Sequence, residues 1–190
     1  MIRSGRERAR FTVACDREFE KMFDFQPTMK GALVELRPLR PDDADDLFAV
    51  ASDPLIWEQH PVPDRHKPGV FSAFFHESLA SRGTLTALDC KDGTIIGSSR
   101  FHAYNAQVSE VEIGWTFLAR SHWGGKYNRE MKQLMLRHAF LFVKRVVFLI
   151  SPQNVRSQKA IEKLGGVRVG SRLDTAGRNS HVYEITSVPV

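Results

Sequence analysis

The chain has 190 residues, a net charge of +5 and a pI near 9.4, enough for one domain that buries about 70% of the surface its unfolded form exposes. Its two cysteines, Cys15 and Cys90, form neither a paired spacing nor a Cys/His cluster, and no apolar run reaches the length of a membrane span or a secretory signal, which argues against a disulfide framework, a metal site and a membrane partner and for a cytoplasmic setting. Lys and Arg are interleaved with acids, so the basic excess reads first as solvated surface, second as attraction for a small polyanionic ligand and only third as a nucleic-acid footprint.

Residues 1–28 stand apart. Arg3, Arg6, Arg8 and Arg10 lead into a mixed-charge stretch, residues 16–25, where Phe19, Met22 and Phe23 fall at helical spacing. This segment is read as an extension outside the core, with the domain proper spanning residues 29–190. Alternation over residues 33–39 then predicts a strand, and Pro41, Asp42 and Asp43 open a helix carried by Ala44, Leu47, Phe48 and Val50, with Asp42 as its N-cap. A proline-rich loop follows with Trp57, Glu58 and His60; such residues in an irregular stretch either line a substrate pocket or pack on the core. Phe71, Phe74, Phe75, Ser78 and Leu79 predict a second helix ending near Gly83. Strands over residues 85–89 and 94–102 pair across an Asp92-Gly93 turn, and a third carrying Glu110 and Glu112 runs to Leu118, completing an antiparallel meander.

Trp123-Gly124-Gly125-Lys126-Tyr127-Asn128 separates that strand from a helix whose apolar face is Met131, Leu134, Met135, His138, Ala139 and Phe142. Strand, glycine turn and helix outline an anion site. A helix start has unpaired N–H groups and the positive end of the dipole, and glycines before it let a phosphate approach the main chain. The apolar run 146–150 is the next strand, parallel to the previous one because a helix joins them. Asn154 and Ser157 open another helix, with Ala160, Ile161 and Leu164 inward and Gly165-Gly166 as its stop. Residues 167–169 and 181–186 supply the closing strands around a turn at residues 174–179.

The order of these elements over residues 33–188, with two motifs, resembles the GNAT superfamily of acyl-CoA-dependent N-acetyltransferases, and within it the branch of ribosomal-protein N-terminal acetyltransferases. The loop from Trp123 to Asn128, followed by Glu130, is similar to that branch's Trp-Gly-Lys-Gly-Tyr-Ala with an acid two residues on. Asn154, Ser157, Lys163 and Gly165 match the family's Asn-x-x-Ser-x-x-x-x-x-Lys-x-Gly. The family's more constant loop glycine falls on Lys126, which implies a tight turn shifted by one residue.

The resemblance implies an α+β fold of α/β/α layers: a mixed, mostly antiparallel sheet with one central parallel pair, flanked by helices. It implies acetyl-CoA as acyl-donor cosubstrate, with its pyrophosphate on the N–H groups of Gly124, Gly125, Lys126, Tyr127 and Asn128 and with Lys126 and Arg120 free to add charge. The pantetheine arm would pair like an added strand with the main chain of Trp115, Phe117 and Leu118. Asn154 would bind the cosubstrate, cap its helix, or do both. The acceptor would be a primary amine, on a small molecule or a protein N-terminus, and a homodimer is compatible with the family.

Acetyl transfer requires a neutral amine. An α-amino group near pKa 8 loses its proton almost freely at neutral pH, whereas a lysine near 10.4 needs about 4 kcal/mol. Glu112 is the candidate base, with Glu110 in reserve because alternation puts both on one face; the alternative is two carboxylates on a solvated sheet face. Many family members protonate the leaving thiolate with a Tyr where this chain has Ile161, so Ser157 would stabilise the sulfur instead, unless it merely bonds its own backbone. Trp57, His60 and Glu110 are the candidate acceptor-binding residues. The missing Tyr and the altered loop leave a second reading open, a catalytically silent coenzyme-A-binding sensor.

Overall fold

Val34 and Leu36 alternate with Glu35 and Arg37, burying the first pair and leaving the second half-buried, the period of a strand with one face on a core. The computed structural model describes residues 22–174 and 176–188. Its strands are β1 (Met29–Lys30), β2 (Val34–Pro38), β3 (Thr84–Asp89), β4 (Ile95–Asn105), β5 (Glu110–Leu118), β6 (Arg145–Ile150), β7 (Val167–Leu173) and β8 (Asn179–Ile185). The helices are α1 (Ala44–Ala51), α2 (Pro68–Ala80), α3 (Lys126–Ala139) and α4 (Val155–Glu162). One sheet runs β1-β2-β3-β4-β5-β6-β8-β7, antiparallel at every pairing except β5 with β6, which is parallel. This is the mixed, mostly antiparallel architecture with a central parallel pair that the element order predicts.

Two apolar clusters cover the two faces. On one, α3 and α4 lay Met131, Met135, Leu136 and Ile161 against Val111, Ile113 and Phe148; on the other, α1 and α2 lay Leu47, Ala51, Phe71 and Phe74 against Trp57, Ile95 and Phe117. Each such side chain contributes about 1.5–3 kcal/mol on burial, so these short helices owe their stability to packing rather than to propensity. Phe23 joins the first cluster, edge-on to Phe25 and Phe101 and stacked on Tyr104. The described end of segment 1–28 therefore packs on the core, and residues 22–28 form no helix; Phe19 lies outside the described residues.

The start of the first helix differs from expectation. Pro41–Asp43 makes a 3-10 turn and the α-helix begins at Ala44. Asp43, not Asp42, holds the corner, its carboxylate accepting from both arms of Arg37 at 2.8 and 2.7 Å, from the Arg40 N–H at 2.9 Å and from the Thr86 hydroxyl at 2.9 Å.

β5 is irregular in a way that positions the site. Val111 and Ile113 face the α3–α4 cluster, whereas Trp115 and Phe117 belong to the α1–α2 cluster, although strict alternation would place all four on one face. The parity reverses at a bulge: pairing with β4 steps from Ser98↔Phe117 to Arg100↔Gly114, leaving one residue more on β5, and Trp115 adopts φ 51°. Pairing with β6 covers only Glu110, Val111 and Glu112, opposite Arg145, Val146 and Val147. Past Glu112 the parallel strands separate while β6 continues to Ile150 beside β8.

Candidate active site

Both α3 and α4 follow the parallel strands, so their first turns flank the gap that opens between β5 and β6. Gly124 and Gly125 hold φ of 98° and 105°, left-handed backbone that L side chains avoid. The tight turn thus precedes Lys126, which begins the helix, and both left-handed positions fall on glycine, so Lys126 is spared them. Among the described residues, the N–H groups of Gly124, Gly125, Lys126, Tyr127 and Asn128 donate to no protein acceptor, and the first bond closing the helix is Arg129 N–H to Gly125 O at 2.8 Å. Five converging donors at a helix start fit a pyrophosphate. The unpaired edges of β5 and β6 fit an extended amide-bearing arm.

The loop is anchored on three sides. The Trp123 indole donates to Leu118 O at 3.0 Å, and the Arg156 guanidinium lies 4.1 Å from the indole ring centroid. Asp89, at the end of β3, meets His122 Nε2 at 3.1 Å and accepts from the Tyr127 hydroxyl at 3.2 Å. The Lys91 N–H, then His122 and Tyr127, hold the Asp89 carboxyl below its ordinary range.

The expected donor-side residues fare unequally. Lys126 is exposed, whereas Arg120 is not free: its Nε pairs with Asp53. The Phe117 and Leu118 side chains are buried in the two cores, so only their main chain is available. Asn154 caps α4, its Oδ1 accepting the Ser157 N–H at 3.1 Å. The Ser157 hydroxyl is half-buried and bonds no protein group among the described residues.

Glu112 lies before the bulge, at the last β5–β6 pair, with its side chain opposite to Val111 and Ile113 and therefore on the α1–α2 face. Burial lifts its pKa from the ordinary 4.5 to about 7; Arg172 and Arg100 pull it down while Glu110 and Asp174 add to the rise. A carboxylate half ionised at neutral pH is matched to take a proton from an ammonium. Glu110, the reserve base, is engaged elsewhere: it is 8% exposed and ion-paired to Arg145 at 2.8 Å and Arg172 at 3.1 Å, tying β5 to β6 and β7.

The acceptor-loop candidates separate. Trp57 is 2% exposed and its indole donates to Ala51 O at 2.7 Å, so the ring is core, the commoner of its two readings. His60 is half-buried, with Nδ1 accepting the Val62 N–H at 2.9 Å and Nε2 lying 3.1 Å from Arg65 Nη1. Burial first, then Arg65, depress its pKa to about 3, so the ring is neutral.

Three buried cations escaped sequence reasoning. Arg65 is one. Arg100, 2% exposed, donates to Thr84, Glu77 and Ser78 at 3.0, 2.9 and 2.8 Å and stacks 4.5 Å from the Trp115 ring centroid. Lys132, 3% exposed, donates to the Ser99 hydroxyl at 3.0 Å and to the Thr116 hydroxyl, holding the bulge from the α3 side, and burial pushes its pKa down to about 7. Lys132 had a signal: it precedes Leu136 and Ala139 by four and seven residues and so sits on a buried stripe.

A family profile described as an acetyltransferase (GNAT) domain matches residues 34–167. Among solved structures, a candidate acetyltransferase from T. thermophilus is 29% identical, with a TM-score of 0.70 over 87% of this chain and 92% of that one. A GCN5-related N-acetyltransferase from Brucella melitensis is 19% identical, with a TM-score of 0.72 over 85% and 79% of the two chains. Mycobacterium smegmatis RimJ, in complex with CoA-disulfide, is 21% identical, with a TM-score of 0.65 over 87% and 90%. No curated protein sequence matches the chain significantly. With the profile spanning well over half of its length and the sheet, gap and glycine turn in place, the protein belongs to the GNAT acetyltransferase family and is an acyl-CoA-dependent N-acetyltransferase.

Proposed function

We propose that the protein transfers the acetyl group of acetyl-CoA directly to a primary amine, with Glu112 as the base. The observation that carries this is the placement of Glu112: a half-buried carboxyl with a pKa near 7 at the point where β5 leaves β6. The five unpaired N–H groups from Gly124 to Asn128 hold the pyrophosphate, and the β5 edge past Glu112 pairs with the pantetheine amides. Glu112 removes the proton from the acceptor ammonium, directly or through a water, so that a neutral nitrogen meets the thioester carbonyl. The N–C bond forms as the C–S bond breaks, the nitrogen's second proton passes to the departing thiolate, and the Ser157 hydroxyl, on the helix start that Asn154 caps, hydrogen-bonds to that sulfur.

Thiol release from acetyl-CoA over an amine panel tests the reading. Acceptor-stimulated release that falls at least about a hundredfold in Glu112→Gln, with acetyl-CoA binding by calorimetry retained, is the expected result. Tight binding with no amine-stimulated release would make the protein a coenzyme-A sensor instead.

A further inference from the structure

The bulge in β5 is fastened to α3 by a buried amine. Lys132 lies in the second turn of α3, among Met131, Met135 and Leu136, and is 3% exposed. Its Nζ donates to the Ser99 hydroxyl at 3.0 Å and to the Thr116 hydroxyl. Those residues are the two sides of the bulge. Ser99 is the β4 residue left facing both Trp115 and Thr116, where the pairing steps from Ser98↔Phe117 to Arg100↔Gly114. The two hydroxyls lie 2.8 Å apart and each is 3.4 Å from Gly114 O. One hydroxyl proton therefore goes to the neighbouring oxygen and the other to the carbonyl just ahead of Trp115. Trp115, at φ 51°, holds a left-handed backbone that a bulky residue adopts only where its surroundings enforce it. The Lys132 network does so from one face, and the Arg100 guanidinium, 4.5 Å from the Trp115 ring centroid, from the other.

Stability does not account for an amine at this position. Among the described residues Lys132 forms no ion pair. A buried ammonium without a counter-ion is costly, and a Met there would bury an equal stem without that cost. What the amine adds is geometry. Its Nζ lies 5.7 Å from the ring centroid of Phe148, the β6 residue that follows the last parallel pair, Glu112↔Val147. Lys132 thus touches β4, β5 and β6 beneath the point where the parallel strands part. It is also only about 9 Å along the helix axis from Lys126, at about 1.5 Å per residue. The unpaired N–H groups of the glycine turn and the irregular edge of β5 are therefore joined through one short, stiff piece of helix.

We infer that Lys132 is a positioning residue: by locking the β5 bulge to α3, it fixes the span between the pyrophosphate seat at the start of that helix and the β5 edge that pairs with the pantetheine arm. Without the lock, Trp115 relaxes toward negative φ and the strand edge shifts against the helix. A displacement of about 1 Å there is enough to misplace a thioester carbonyl held from both ends. The inference rests on the acetyl-CoA docking read above and adds a residue that acts on the cosubstrate only through β5.

Calorimetry tests this by comparing acetyl-CoA with the phosphoadenosine diphosphate half of coenzyme A, which carries the pyrophosphate and no pantetheine arm. Lys132→Met and Thr116→Val each remove one end of the lock, whereas Thr116→Ser keeps the hydroxyl. Acetyl-CoA binding should weaken at least about tenfold in the first two, while the half-molecule binds wild type and variants within about twofold of one another. Thr116→Ser should recover most of the affinity. Lys132→Met combined with Thr116→Val should bind no more weakly than either alone, because both break one link. A general loosening of the fold would weaken both ligands together, so equal losses overturn the inference. Unchanged acetyl-CoA binding, additive losses in the double variant, or a half-molecule that does not bind the wild type overturn it as well. If Lys132→Met fails to fold by circular dichroism, the two Thr116 variants decide by the same criteria. Acetyl transfer is judged apart: a wild type that binds acetyl-CoA yet releases no thiol with any amine refutes that reading and leaves the role of Lys132 standing.

Discussion

Glu112→Gln separates the roles of this carboxyl in stability and in turnover. Burial raises its folded pKa from 4.5 to about 7, so between those values the folded chain holds a proton that the unfolded chain has released. Stability from this group is complete below pH 4.5 and falls as pH rises through 7. At 1.36 kcal/mol per pKa unit the full loss is about 3 kcal/mol, and partial exposure with the remaining span between pH 5 and pH 8 leaves about 2 kcal/mol. Gln does not titrate, so urea unfolding at the two pH values should show the variant gaining about 2 kcal/mol on the wild type at the higher pH. The acid limb of acceptor kcat/KM, expected near pH 7, should disappear along with about 10²- to 10⁴-fold of the rate. Parallel stability curves with an intact acid limb would refute both the burial argument and the assignment of the base.

Gly125→Val forces a β-branched residue into φ 105° and should weaken acetyl-CoA binding at least about tenfold by calorimetry, since the strained turn can no longer aim its N–H groups; unchanged affinity would argue against pyrophosphate at this loop. Glu130→Ala removes the carboxylate that accepts the N–H groups of Ala32, Leu33 and Val34 at 2.9, 2.6 and 2.7 Å, and urea unfolding should register a loss of about 2–4 kcal/mol. Lys132→Met removes an amine whose pKa burial depresses from 10.5 to about 7. In that window the unfolded chain binds the additional proton, so wild-type stability should rise from pH 7 to pH 9.5 relative to the variant; equal slopes would mean that the amine stays charged in the fold.

Local periodicity was enough to place every described strand but Met29–Lys30 and the helix behind the glycine turn, because those features rest on residues a few positions apart, and the parallel pair followed from the helix that joins its strands. The place of the tight turn was legible for the same reason: a positive φ favours glycine, and Gly124 and Gly125 were where it could be met. Long-range partnerships were not legible. Arg120 looked available until Asp53, 67 positions away, took it, and Glu130 looked like a mark of the family loop until it proved to hold the strand-entry turn at Ala32. Asp42 and Asp43 are equally good caps by type, and only the packing of Arg37 and Thr86 selects the second. Arg65 sits among charged neighbours in an irregular stretch, where nothing local distinguishes a buried guanidinium from a solvated one.

The bulge in β5 also sets where this chain can tolerate change in length. Glu112 and Phe117 look to the same side of the sheet across an odd separation, which plain alternation forbids and the one extra residue at the bulge makes possible, at the cost of carrying Trp115 to that side as well. Deleting Thr116 would straighten the strand, leave Phe117 and Leu118 on their present sides, turn Trp115 from the α1–α2 side toward α3 and away from Arg100, and take from Lys132 one of its two hydroxyl partners. The 57–66 loop and the 174–179 turn carry no such parity. Insertions there move no strand residue to the other side of the sheet, while the stretch from Glu112 to Leu118 is fixed residue for residue.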